Sequence, residues 1–154
     1  MTSTPSGEIW FASLAGSYVA RIERTSGRAI VVQPPKAGQG ARRVWSDSGG
    51  RIWASEWNVG QVGVYDPASE GWREWRLPGD RPQAYAVFVD GDDIVWLTDF
   101  GANAIVRFDP TAEAFTVLDL PTSGASVRQL LGRPGEVWGA ESAVDKVVLV
   151  KTAA

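Results

Sequence analysis

The chain repeats itself about every 43 residues. Trp10, Trp53, Trp96 and Trp138 are separated by 43, 43 and 42 positions. Pro35, Pro78 and Pro121 keep the interval of 43, and so do Glu23, Asp66 and Asp109. The segments around the tryptophans read GEIWFAS from Gly7, GRIWASE from Gly50, DIVWLTD from Asp93 and GEVWGAE from Gly135. A period of this length fits either paired-helix repeats or the blades of a β-propeller. Gly and Pro interrupt each unit every few residues, which leaves no room for two helices. The runs between them are rich in Val, Ile, Trp, Tyr and Phe and read as strands. The expected fold is all-β: a partial β-propeller in blade units 7–49, 50–92, 93–134 and 135–154.

Each blade is expected to hold four strands, counted outward from the axis. The inner strands are predicted at Arg42–Ser46, Ala84–Val89 and Val127–Leu131. The second strands are predicted at Ile9–Ala12, Ile52–Ser55, Ile94–Thr98 and Val137–Ala140. The third lie at Tyr18–Ile22, Gln61–Tyr65, Ala104–Phe108 and Lys146–Val150, and the outer ones at Ala29–Val32, Trp72–Trp75 and Phe115–Leu118. Asp66-Pro67 and Asp109-Pro110 end third strands as turn formers. Ile52, Trp53 and Ala54 are consecutive apolar residues, so both faces of that strand should be covered, as between neighbouring blades. The four repeating tryptophans are therefore expected to pack between blades.

This reading opens on a second strand and closes on a third, giving fourteen strands, or about 3.5 blades. Closed propellers have about four to eight blades. An apolar blade face and unpaired strand edges would be left bare at each end. The expectation is completion by oligomerisation, with a homodimer joined through the terminal blades. Two copies would carry 28 strands, the number that seven four-stranded blades need.

Composition narrows the chemistry. With no Cys and no His, the chain can supply no disulfide, thiolate site, imidazole base or Ser-His-Asp triad. A net charge of −3 and no basic run beyond Arg42-Arg43 argue against nucleic acid as a partner. No apolar run approaches the ~18 residues of a membrane-spanning helix. Met1–Gly7 lacks the features of a signal peptide, so a cytoplasmic location is the default expectation.

Two sets of residues are candidate sites. Glu56, Asp99 and Glu141 share one repeat position just after the second strand, and could form an acidic rim holding a ligand or a divalent cation through oxygen. The competing reading is that they satisfy backbone amides or neighbouring Arg in each blade. Arg42, Tyr85 and Arg128 share a position on the inner strand, and could face the channel and bind an anion. Trp57 and Phe100, each following an acid, could line a ligand mouth or pack at an edge. Arg21 and Arg107 are expected to pair with acids between blades. Asp90-Gly91-Asp92-Asp93 lacks the spacing of a calcium loop and reads as a hairpin turn. The sequence itself implies no cofactor.

Ile52-Trp53-Ala54-Ser55-Glu56, Val95-Trp96-Leu97-Thr98-Asp99, Gly101-Ala102-Asn103-Ala104-Ile105-Val106-Arg107-Phe108-Asp109-Pro110 and Glu136-Val137-Trp138-Gly139-Ala140-Glu141 together resemble the blade signature of the virginiamycin B lyase (streptogramin lyase) family. The resemblance covers nearly the whole chain. It implies a bacterial, seven-bladed propeller, of which this chain looks like the C-terminal half. It also implies ring opening of streptogramin B antibiotics by elimination, with a His acid or base, acidic residues and Mg2+. No His here matches the family's catalytic His, so no catalytic residue is carried over. Whether the chain is an enzyme stays open among three readings: a lyase-like protein, a non-catalytic propeller binding a small molecule or protein, and a self-assembling half-propeller.

Overall fold

The computed structural model describes residues 1–152, and among them there is no helix. Fifteen strands form four antiparallel sheets. The first holds β1 (Thr2–Ser3), β2 (Ile9–Ser13), β3 (Tyr18–Ile22) and β4 (Ala29–Val32). The second holds β5 (Ala41–Ser46), β6 (Ile52–Glu56), β7 (Gln61–Asp66) and β8 (Gly71–Arg76). The third holds β9 (Ala84–Val89), β10 (Val95–Asp99), β11 (Ala104–Asp109) and β12 (Ala114–Asp119). The fourth has three strands, β13 (Val127–Arg133), β14 (Glu136–Glu141) and β15 (Lys146–Lys151). Within each sheet the strands follow chain order, and the inner strands β1, β5, β9 and β13 contact one another in sequence. This is the blade arrangement of a propeller. Among the described residues no helix is long and apolar enough to cross a membrane.

The strand count differs from the sequence reading. The first sheet has an inner strand, β1, pairing Thr2 with Trp10 and Ser3 with Ile9. The described chain thus forms three four-stranded sheets and one of three, and the 28-strand arithmetic for two copies does not hold. Two polar residues carry no alternation of apolar and polar side chains, so β1 gave no signal.

In each of the first three sheets one tryptophan joins it to the next. Trp10 packs on Tyr65 of the second sheet, with ring centroids 5.8 Å apart. Trp53 packs on Phe108 of the third, at 6.0 Å, and Trp96 lies in the cluster shared with Val127, Leu130 and Val137 of the fourth. These three are 2%, 1% and 3% exposed. Trp53 and Trp96 also donate their indole N–H groups to Asp47 Oδ2 (2.9 Å) and Asp90 Oδ2 (2.7 Å). Each aspartate also accepts backbone N–H groups of its own hairpin. Trp10 lacks this partner, because Thr4 occupies the equivalent position, and its buried indole nitrogen has no hydrogen bond.

Trp138 departs from the expectation. It is 39% exposed, and Leu131 (53%), Val147 (65%) and Leu149 are exposed with it. The registers Leu131↔Trp138↔Leu149 place these residues on one face of the fourth sheet. The opposite face, with Val137, Val148 and Val150, packs on the third sheet. Trp138 points where a following blade would lie, and the described chain supplies none. Accordingly β6 and β10 are buried at every position, whereas β14 alternates between buried and exposed.

The loop from the second to the third sheet is held tightly. A Cβ on Gly60 would meet the Pro82 carbonyl oxygen at 2.1 Å, and Gly60 has φ +63°. A Cβ on Gly101 would meet the Arg81 carbonyl at 2.0 Å. Glycine at these two turns lets the 80–83 segment lie against both.

Removing a buried inter-blade indole should cost far more than removing the open one. Trp96→Ala is expected to destabilise by about 3–5 kcal/mol. Trp138→Ala, in dilute solution, is expected to cost less than about 1 kcal/mol. Urea unfolding of the two variants side by side checks this ordering.

Candidate functional site

The three repeat-equivalent acids end β6, β10 and β14, and all are buried. Each pairs with the start of its inner strand: Ala41↔Glu56, Ala84↔Asp99 and Val127↔Glu141. Asp99 Oδ1 accepts the backbone N–H groups of Gln83 (2.7 Å) and Gly101 (2.8 Å), so it fastens the entry of β9 to the following turn. Glu56 Oε2 accepts from the side-chain amides of Gln61 (2.6 Å) and Gln39 (3.4 Å), and Gln39 also bonds Glu74. Oε1 of Glu56, Oε1 of Gln39 and Oε2 of Glu141 are buried without a hydrogen-bond partner. Burial raises the Glu56 carboxyl to about 8; the Gln61 hydrogen bond opposes the rise and the Glu74 charge adds to it. At neutral pH Glu56 is therefore mostly protonated.

Among the described residues, no group of three or more Asp and Glu side chains is placed to hold a metal ion. Mg2+ asks for near-octahedral oxygen ligands, usually including one or two carboxylates. Glu56, enclosed by Gln61 and Gln39, and Asp99, capped by two backbone amides, lie in separate sheets and form no such group, so these residues do not fit a magnesium site.

The inner-strand set behaves differently. Arg42, Tyr85 and Arg128 each fall where the pairing of β5, β9 or β13 with its neighbour shifts register. Such irregularities re-aim side chains out of the regular pleat. The Arg42 guanidinium carbon lies 3.8 Å from the Tyr85 ring centroid and 5.0 Å from that of Trp57. Tyr85 stacks on Phe100 at 4.6 Å and 13°, and Trp57 meets both edge-on at 5.6 and 5.5 Å. Burial raises the Tyr85 phenol; contact with Arg42 and the charges of Arg42, Arg43 and Arg128 outweigh it and leave the phenol below its ordinary value. The structure thus joins Arg42 and Tyr85 to Trp57 and Phe100, with Arg128 close enough to act on the phenol electrostatically.

Trp57 and Phe100 also wall an open groove of about 900 Å³ between the second and third sheets. Its other lining includes Asn58, Arg76, Arg81 and Gln83, mostly from the 80–83 segment and the turn after β6. Sequence reasoning missed this loop contribution, because it rests on the crossing of two separate turns at Gly60 and Gly101. Asp66 and Asp109 are turn formers as expected, accepting from Ala68 N and Thr111 N. Arg21 pairs with Glu8 at 2.8 Å and Arg107 with Asp109 at 3.8 Å. These pairs lie within single sheets, not between blades, because the paired acid sits on the same hairpin or the same strand. Asp90 Oδ1 accepts from the backbone of Asp92 and Ile94, which makes 90–93 a hairpin turn.

The fold is that of the virginiamycin B lyase propellers. A streptogramin B lyase superposes with TM-score 0.84 at 20% identity, covering 98% of this chain and 53% of that one. Virginiamycin B lyase from Staphylococcus aureus gives 0.82 at 20%, covering 99% and 54%. A catalytically inactive form of the Staphylococcus aureus enzyme with quinupristin gives 0.82 at 18%, covering 97% and 54%. The chain spans about half the length of these proteins. No family model matches the sequence, and no curated protein matches it.

Glu56→Gln should remove a pH-dependent cost. A carboxyl raised from 4.5 to about 8 contributes stability that is present below pH 4.5 and lost as pH climbs toward 8. The stability of Glu56→Gln relative to the parent should rise between pH 5 and pH 8, by up to about 1.4 kcal/mol per pH unit, and stay flat above. Denaturant unfolding across that range measures it.

Proposed function

We propose that this chain is a virginiamycin B lyase-like propeller segment whose role is to bind a small molecule at the mouth between its second and third blades. The observation that carries this reading is the junction of Arg42, Tyr85, Trp57 and Phe100 beside an open groove. Concave sites with aromatic walls and a few converging polar groups are the usual form of small-molecule pockets. Elimination on a streptogramin B ring needs a base beside a carbonyl and stabilisation of the developing charge. The chain has no His, Glu56 is mostly protonated at neutral pH, and Asp99 is engaged with two backbone amides. These residues favour binding over elimination.

A second observation favours assembly. The apolar face of Leu131, Trp138, Val147 and Leu149 matches the kind of surface that the other blades bury against a neighbour. A second copy, docking its own terminal blade there, would cover it.

Incubation with a streptogramin B and Mg2+, followed by chromatography and mass spectrometry, separates binding from elimination. The expected outcome is retention of the intact ring; a linear product of unchanged mass would establish elimination. Light scattering checks assembly. The parent chain is expected to exceed its 16.6 kDa monomer mass, and Leu131→Asp with Val147→Asp to return it to that mass.

A further inference from the structure

Three arginines gather on the inner strands without a carboxylate. Among the described residues, Arg42, Arg43 and Arg128 form no ion pair, which they share with Arg24, Arg76 and Arg81; what sets the three apart is their place around Tyr85. Arg42 is half-buried and its Nε has no hydrogen-bond partner. The guanidinium plane of Arg42 is covered on one side by Tyr85 and its Nε is enclosed, so the side of this half-buried group that faces outward is that of its two terminal amino groups. A guanidinium held by an aromatic face in this way is suited to a bidentate hydrogen bond with a carboxylate. The Arg43 guanidinium carbon lies 5.7 Å from the same ring centroid.

The placement of these groups is set by the repeat. Arg42, Tyr85 and Arg128 are 43 residues apart, and each lies where its inner strand slips register. Trp57 and Phe100, also 43 apart, stand on the groove side of the same cluster. At the equivalent position the fourth sheet has Ser142, so the aromatic wall belongs to the middle two blades. Arg42 thus adjoins the groove through Trp57 and Tyr85 without lining it, and the groove's own charged lining is Arg76, Arg81 and Asp80.

We infer that the Arg42–Tyr85–Arg128 position is an anion subsite, and that the ligand is a small aromatic carboxylate whose acid group meets the guanidinium edges while its ring lies on Trp57 and Phe100. The inference rests on the binding reading above and adds a ligand class to it. A ligand of this kind brings a negative charge to arginines that have no carboxylate partner and covers aromatic surface in the same step.

The test is calorimetric titration of the chain with 1-naphthoate, with 1-naphthylmethanol and acetate as probes for the ring alone and the acid alone. Naphthoate is expected to bind saturably and at least about tenfold more tightly than either control. Arg42→Met and Arg128→Met, which keep an apolar stem, should each weaken naphthoate by about tenfold or more and leave naphthylmethanol unchanged. Circular dichroism confirms that both variants fold. If naphthylmethanol binds as well as naphthoate and loses its affinity in Trp57→Ala, the anion subsite is wrong and the binding mouth stands. If neither aromatic probe binds, both readings fall. If Arg42→Met and Arg128→Met, folded, bind naphthoate as the parent does, the assignment of the anion subsite is overturned.

Discussion

The packing of one indole from each sheet against the next holds this structure together. A β-sheet with two apolar faces has no stable existence alone, and it needs a cover on each side. Trp10, Trp53 and Trp96 provide that cover in one direction around the axis, each entering the neighbouring sheet. The hairpin aspartates Asp47 and Asp90 complete the unit by accepting the indole N–H that burial would otherwise leave unpaired. The direction matters. Because each tryptophan of the 43-residue repeat faces forward, the fourth sheet presents Trp138 and its apolar row to whatever comes next.

The same repeat that builds the sheets builds the site. Repetition alone puts an acid at the end of each second strand, and the structure uses Glu56 and Asp99 there to fasten the start of the inner strand. Function has to come from where the repeats differ. Tyr85 stands between two arginines, and Trp57 and Phe100 follow acids in two blades only. These departures converge on one side of the second and third sheets, where the tightly packed 80–83 segment adds a groove wall.

Much of the fold was legible because it is written in period and alternation. The strand positions, the turn roles of Asp66, Asp109 and Asp90, and the burial of three tryptophans follow from spacing and from continuous apolarity. What was not legible has physical reasons. The strand Thr2–Ser3 is too short and polar to show a pattern. The exposure of Trp138 depends on what lies beyond its sheet, which no local pattern encodes. In the site, the nearness of Arg42 to Tyr85 was foreseeable from their shared repeat position. The protonation of Glu56 was not, since it depends on how completely Gln39, Gln61 and Glu74 enclose it.

Hydrogen–deuterium exchange of the backbone, followed at two protein concentrations, tests the packing account most directly. Forward indole packing predicts the slowest exchange in β6, β7, β10 and β11, and fast exchange in β14 and β15 at dilution that slows as concentration rises. Protection of β14 and β15 equal to that of β6 and β10 at the lowest concentration would contradict it, as would uniform fast exchange through the middle two sheets.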